Sequence, residues 1–260
     1  MKKIFTTIVA SLLVMQYATA WTGSLHAGIA AIAHDNLTEQ TKKGIVEILG
    51  GRSIIYAASL PTSHNQNIAI APNGKVLSAK KAAKSKCSEV ASALLMDDIE
   101  RAVAATRDPK TPKDTKAPLL KNLVAAIGDL HCPGHYIYTA EPKLREIYYL
   151  HTKDTNPRKF TELWESAAVQ GTFGWKSNEF VHQLSRKTPE QVAAITAGTV
   201  TDWAERNAAE YRPLYDTIES GHHFEQSIEY RLWLNKIYPI AVEQIAVAGY
   251  RLAALLNSIF

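Results

Sequence analysis

Apolar residues recur at three- and four-residue spacings through most of this chain, and no other feature limits its fold as strongly. Such spacing places apolar side chains along one face of an α-helix. The segments predicted to be helical are residues 27–49, either as one helix or as two divided near Asn36 and Thr38, 53–58, 88–106, 119–130, 160–169, a helix opened by Thr188-Pro189-Glu190, 202–215 and 238–260. Residues 108–118 are predicted to be a loop, and only isolated short segments such as 147–150 could form strands. The pattern predicts an all-α fold.

The first twenty residues have the features of a secretory signal. Lys2 and Lys3 precede an apolar run that is too short to span a bilayer, and Ala18-Thr19-Ala20 is a small-x-small cleavage site. We therefore expect a secreted or periplasmic protein whose mature chain, residues 21–260, forms a single multi-helix domain. Cleavage would make Trp21 the first residue, and its free α-amine and carbonyl could then chelate a metal.

The charge balance argues against a polyanion-binding surface. The formal net charge is +4 for the whole chain, and it falls by two when Lys2 and Lys3 leave with the signal. The basic residues cluster within 75–86 and 107–116, which are rich in Ser, Ala, Thr and Pro, so solvated loops are the preferred interpretation. No second apolar run is expected to cross a membrane.

The chain has two cysteines, Cys87 and Cys132. An exported protein permits a disulfide between them. Two reduced thiols are equally compatible, because the sequence does not give their separation.

One short cluster carries the chemistry: Gly128-Asp129-Leu130-His131-Cys132-Pro133-Gly134-His135. Carboxylate oxygens and imidazole nitrogens are zinc ligands. Pro133 and Gly134 stop a helix, so Asp129 is expected in the last helical turn and His135 in the loop that follows. A solvated turn is the alternative interpretation of the same residues.

Several strings along the mature chain together resemble a known family, the zinc-dependent single-strand nucleases of the nuclease S-one and nuclease P-one type, whose helical fold is shared with bacterial phospholipase C. Residues 21–26 stand where that family has Trp-Gly-x-x-Gly-His, and residues 128–135 stand for its Gly-Asp-x-His-x-Pro-x-His. The other similar strings are residues 37–51, Asp202-Trp203-Ala204-Glu205 and Ala248-Gly249-Tyr250-Arg251-Leu252-Ala253-Ala254-Leu255-Leu256-Asn257.

The resemblance implies a cluster of three zinc ions held by nine residues, which activates a hydroxide for phosphodiester hydrolysis. Four of those ligands match this chain: Trp21 through its amine and carbonyl, His26, Asp129 and His135. Asp129 matches the bridging carboxylate of the family and is the residue to which we assign catalysis.

Two further positions in the first half of the chain differ from the family. Thr62 stands where the family has an aspartate, and His64 is the candidate for the histidine that follows it. The family commonly has an aromatic residue after that histidine for base stacking, and Asn65 offers no such platform.

The remaining differences affect the ligands on the helices. Ala125 stands where the family has a histidine one turn before Asp129, Thr161 replaces another histidine, and Glu165 replaces an aspartate. Alanine and neutral threonine do not replace imidazole as zinc ligands. The resemblance therefore implies one zinc ion at Trp21, His26 and Asp129, with His135, Glu165 and His64 left at the other two positions.

Three functions are compatible with this pattern. The first is a phosphoric ester hydrolase, either an endonuclease on single-stranded nucleic acid or a 3′-nucleotidase, with impaired activity. The second is an inactive pseudoenzyme that binds a ligand or partner in the remaining cleft. The third is a phospholipase C-like hydrolase, which the C-terminal half of the chain supports least.

Two other polar residues have an open role. His131 could substitute for a lost ligand, or it could be a core histidine beside the site. Arg251 lies among apolar residues of the last predicted helix and is expected to pair with a buried carboxylate or with helix-end carbonyls.

Overall fold

A computed structural model describes residues 21, 23–59, 67–82, 84, 94–141, 144, 158–219, 221–224 and 227–260. Helices dominate these residues, which confirms the predicted all-α class. The α-helices are α1 (Gly23–Asp35), α2 (Glu39–Ile48), α3 (Ile54–Ala58), α4 (Ala79–Ala82), α5 (Leu95–Arg107), α6 (Lys113–Asp129), α7 (Phe160–Gly171), α8 (Ser177–Leu184), α9 (Pro189–Thr196), α10 (Val200–Tyr211) and α11 (Ser227–Ile259). Most buried apolar side chains belong to one contiguous cluster.

Helix α1 lies at the centre of the molecule, and α3, α6, α8 and α11 pack around it. Its residues from Leu25 to Ala33 are all buried, which a helix covered on every side requires. Small residues allow α11 to approach α1 closely. A Cβ added at Gly249 of α11 would lie 2.6 Å from the Cβ of Ile32, so this glycine sets the distance between the two helices.

The chain breaks between α1 and α2 where the polar residues Asn36 and Thr38 stand, as one of the sequence alternatives anticipated. The Thr38 hydroxyl accepts a hydrogen bond from the Thr41 amide and caps α2. The Ser53 hydroxyl caps α3 in the same way, so the short helix predicted at 53–58 is confirmed.

Helices α5 and α6 pack against each other, and their bounds differ from those predicted. Leu94 lies outside the helix, so α5 begins at Leu95, with two aspartates in its first turn. The predicted loop at 108–118 is wrong beyond Pro112, because α6 begins at Lys113 and continues through Pro118. Pro118 is exposed, so water can reach the carbonyl that lost its helical partner.

Two three-residue strands form a small parallel sheet that was not predicted. Strand β1 (Ile68–Ile70) pairs with β2 (Tyr136–Tyr138), with Ile68 opposite Tyr136. A 3-10 helix, Pro133–His135, leads directly into β2. The sheet therefore fixes the chain immediately after the polar cluster. The possible strand at 147–150 lies outside the described residues.

From Phe160 onward, the described residues are helical apart from short connections. Helix α8 was not predicted, and only Phe180 is buried in it. A capping box of Thr199 and Asp202 starts α10, which continues into a second 3-10 helix, Arg212–Thr217, in place of the α-helix predicted to Tyr215.

The last helix, α11, has 33 residues and runs through Pro239, so it begins earlier than predicted. By length and composition alone it could cross a membrane, and 61% of its most apolar window is buried inside the protein. Such burial is typical of a core helix. Accordingly, α11 packs along α1 and α7.

Candidate metal centre

The C-terminal end of α6 and the 3-10 helix after it carry the polar cluster. Asp129 is the last residue of α6, as predicted, and His135 ends the 3-10 helix two residues beyond Pro133. Both side chains are buried, with 4% and 5% of their surfaces exposed. A solvated turn would leave these side chains in water, so the structure excludes that interpretation.

His26 of α1 meets Asp129 inside the protein. Its Nε2 lies 3.2 Å from Asp129 Oδ1, and both side chains are more than nine-tenths buried. Gly128 makes this approach possible, because a Cβ at that position would lie 2.7 Å from His26 Cδ2. The glycine before the aspartate is therefore where α1 and α6 come closest at the site.

His135 approaches the same carboxylate oxygen, with its Nε2 at 3.8 Å from Asp129 Oδ1. The 3-10 helix that holds it packs against α7. Here too a glycine allows the contact, since a Cβ on Gly134 would lie 2.3 Å from Thr161 Oγ1 and 2.7 Å from Thr161 Cα. The start of α7 therefore rests directly on the backbone beside His135.

Trp21 lies against this group and is fully buried. Its indole Nε1 donates to the carbonyl oxygen of Gly128 at 2.8 Å. Its ring packs on that of Trp164, with 6.3 Å between the centroids. Four predicted ligands, Trp21, His26, Asp129 and His135, are therefore brought together from two parts of the chain.

The electrostatics of the group favour a cation. Burial alone lowers the pKa of His26, but the side-chain contact and negative charge of Asp129, with the backbones of Trp21 and Ala125, outweigh it and leave the pKa raised. A metal ion bound to His26 competes with protonation of this imidazole, so its affinity is expected to fall with acidification.

The distances also suit a shared zinc ion. Two ligands held at about 2.0–2.1 Å by a tetrahedral zinc lie about 3.3 Å apart, close to the 3.2 Å between His26 and Asp129. The contact between His26 Nε2 and Asp129 Oδ1 does not have the geometry of a hydrogen bond, and within the described residues neither buried atom has another hydrogen-bond partner. Burying two polar atoms in this way costs free energy unless a cation lies between them.

The described part of the chain contains no set of three or more His, Cys, Asp or Glu side chains arranged to hold a metal ion. Zinc binding here therefore depends on the main chain of Trp21 or on residues outside the described ranges. His64, one of the predicted ligands, lies outside them, as do Thr62 and Asn65.

Glu165 lies one helical turn after Thr161 on α7, half-buried. It lines the end of a cleft along that helix together with Ser166, Val169, Gln170 and Phe173. Ala125 is buried one turn before Asp129 on α6. Ala125 and Glu165 thus both lie on helices that the sequence predicted, α6 and α7. The role of Glu165 as a zinc ligand stays a prediction.

His131 belongs to a separate buried network. Its Nδ1 lies 2.7 Å from the Ile127 carbonyl oxygen, and its Nε2 lies 2.9 Å from Arg251 Nη1. A guanidinium only donates, so Nε2 must accept and the proton must be on Nδ1. Both nitrogens are occupied, which makes His131 a core histidine and removes it as a substitute ligand.

Arg251 donates to a helix-end carbonyl, which is one of the two kinds of partner that the sequence predicted for it. Its Nε donates to Ile195 in the last turn of α9 at 3.1 Å, and its Nη1 donates to Asn207 Oδ1 at 2.9 Å. Its guanidinium also lies over the Trp203 ring, 5.4 Å from the centroid.

Cys132 lies within the cluster and is buried. Cys87 lies outside the described residues, so the state of the cysteine pair stays a prediction.

Sequence reasoning missed the residues that support the site. Gly128 and Gly134 gave a signal, because a glycine within or beside an apolar helix often marks a close approach. Asn207 and Tyr136, which both donate to the Leu130 carbonyl, gave none, since an asparagine or tyrosine in a helix or strand fits many environments.

A family model described as S1/P1 Nuclease matches residues 21–260. A comparison with curated proteins finds no match.

Proposed function

The chain belongs to the S1/P1 nuclease family, and from this premise we propose that it is a secreted or periplasmic zinc-dependent hydrolase of phosphate esters. Single-stranded nucleic acid or a 3′-nucleotide is the proposed substrate. One observation carries the proposal: His26 and His135 converge on the buried carboxylate of Asp129, with Trp21 packed against them.

We propose one zinc ion at Trp21, His26 and Asp129. Bound zinc would polarise a phosphoryl oxygen and lower the pKa of a water molecule. The chain's own part is to present deprotonated ligands: Asp129 supplies a carboxylate, and His26 must give up the proton that Asp129 stabilises. Trp21 contributes its amine only after the peptide bond to Ala20 is cut.

Activity is expected to be weaker than in members with all nine ligands. Ala125 has no polar side-chain atom, and the hydroxyl of Thr161 lies against Gly134. Neither can hold a second or third ion as an imidazole does. Two-metal and three-metal clusters stabilise both the attacking and the leaving oxygen, and a single ion stabilises fewer of these charges.

An inactive pseudoenzyme is the second candidate. It is favoured by the same two positions, because their ligands are absent while the fold around them is kept. It would retain the ion at His26 and Asp129 as a structural element and bind a ligand without turnover.

One preparation separates the candidates. The chain beginning at Trp21 is loaded with zinc, and its metal content and its hydrolysis of single-stranded DNA and of 3′-AMP are measured. We expect about one zinc per chain and slow, chelator-sensitive turnover. Asp129→Asn, which keeps the shape of the side chain, should abolish both.

A matched control tests the amine itself. A chain with one extra residue before Trp21 keeps the fold but has no free amine at position 21, and its zinc affinity should fall. Zinc binding without turnover supports the pseudoenzyme. Turnover that persists without zinc, or that Asp129→Asn leaves unchanged, contradicts both.

A further inference from the structure

The C-terminal end of α6 has an unusual number of side-chain donors. The last four carbonyls of any α-helix lack a partner within the helix. Here backbone amides donate to some of these carbonyls: Leu130 N donates to Ala126 O at 2.9 Å and Cys132 N donates to Asp129 O at 3.0 Å. Side chains also donate to carbonyls of this helix end.

Four side chains donate to carbonyls of this turn. His131 Nδ1 donates to Ile127 O at 2.7 Å, Trp21 donates to Gly128 O, and both Asn207 Nδ2, at 2.9 Å, and the Tyr136 hydroxyl, at 2.7 Å, donate to Leu130 O. Two of the bonded carbonyls flank Asp129. The backbone on both sides of the candidate carboxylate is thus held by side chains from elsewhere in the sequence.

Arg251 orients two of these donors. Its Nη1 lies 2.9 Å from His131 Nε2 and 2.9 Å from Asn207 Oδ1. Because a guanidinium has no acceptor, it selects the Nδ1–H tautomer of His131 and turns the Asn207 amide nitrogen toward α6. Arg251 is only 6% exposed, and both partners are buried.

The charge of Arg251 is also placed to favour this arrangement. Through its two neutral partners it faces the carbonyl end of α6, and it donates directly to the carbonyl end of α9 at Ile195. A cation near the negative end of a helix dipole is stabilised there. The guanidinium is therefore compensated mainly by aligned carbonyls.

We propose that Arg251, His131 and Asn207 form a positioning network that fixes the last turn of α6, and through it the placement of Asp129 and His135. None of the three touches the metal. They act by holding the backbone from Ile127 to Leu130 in the one conformation that points Asp129 at His26. The effect on zinc rests on the proposed function, whereas the anchoring of the helix end does not.

Two variants separate positioning from general stabilisation. Asn207→Asp and His131→Glu both keep an acceptor for Arg251 but remove the donor that residue 207 gives to Leu130 O or that residue 131 gives to Ile127 O. A merely structural role for Arg251 predicts that both variants are tolerated. The network predicts a local loosening of the helix end. Tyr211→Phe is the control, because it removes a buried hydrogen bond on α10, to Gln244, that does not reach α6.

Amide hydrogen exchange on the metal-free chain from Trp21 to Phe260 tests the anchoring. The amides of Leu130, Cys132 and His135, all bonded within this segment, should exchange about tenfold faster in both variants. The amides of α1 and α11 should change no more than in Tyr211→Phe. A rise spread evenly over the protein, or no rise at residues 130–135, overturns the proposal. If a variant does not fold, the other decides.

Zinc and cobalt then test the link to the site. Both variants should bind zinc about 10- to 100-fold more weakly, and cobalt(II) in its place should show altered visible absorption bands, while Tyr211→Phe matches the unsubstituted protein. Local loosening with unchanged zinc affinity and cobalt spectrum refutes positioning. If the unsubstituted protein binds neither metal, the proposed function fails, and hydrogen exchange alone decides the anchoring.

Discussion

Acidification should destabilise the fold through His131. Burial and the positive charge of Arg251 lower the pKa of this imidazole from 6.5 to about 3. The unfolded chain therefore takes up a proton near pH 6.5, which the folded chain refuses until about pH 3. Between those values the unfolded state binds more protons, so the free energy of unfolding decreases as the pH falls.

The size of the effect follows from linkage. One pKa unit corresponds to about 1.4 kcal/mol, and at pH 5 the unfolded histidine is almost fully protonated. The unfolded state then gains about 2 kcal/mol relative to pH 7. Such a loss is a considerable part of the stability of an ordinary domain, which is about 5–15 kcal/mol.

Urea unfolding followed by tryptophan fluorescence at pH 7 and pH 5, with a chelator present, measures this loss. The reference is His131→Gln, which cannot be protonated. All other histidines are the same in both proteins, so their contributions cancel in the difference. The stability gap between the two proteins should shrink by about 2 kcal/mol at pH 5. A gap that stays constant or widens would show that His131 is not held neutral, and the tautomer argument would fail with it.

Three substitutions test the packing of the site. Gly134→Ala should lower the free energy of unfolding by about 1–3 kcal/mol, because the new Cβ meets the backbone of Thr161; unchanged urea unfolding would contradict the close contact. Gly128→Ala should displace the His26 ring and weaken zinc binding about tenfold or more, measured by chelator competition, and an unchanged affinity would remove His26 from the site. Ala125→His places an imidazole one turn before Asp129 and should raise the zinc content measured by elemental analysis; a content equal to that of the unsubstituted chain would show that this face of α6 does not reach the metal.

Helix α5 was predictable because its burial is one-sided. Where a helix packs on the core with one face, as α5 does, the apolar spacing in the sequence reproduces its course. Helix α8 has only Phe180 buried, so its spacing carried almost no signal. The start of α6 was missed for another reason: Pro118 is tolerated because it faces solvent, and exposure cannot be read from a proline alone.

The site was predictable in its parts and not in its assembly. One short motif indicated Asp129 and His135, since it combines ligand chemistry with a helix stop. His26 and Trp21 came from resemblance, because no local pattern tells which distant residue meets a given carboxylate. The side chains that anchor the end of α6 could not be identified from the sequence. Nothing in the sequence around Asn207 distinguishes a donor to a distant helix end from an ordinary polar residue.

The contact between Gly134 and Thr161 bears on how this chain could change over generations. The two backbones touch there, so a bulkier side chain at position 161 must leave by another rotamer or push α7 away from the 3-10 helix. A single substitution that places an imidazole at position 161 therefore has to work against the packing of α7 on the 3-10 helix.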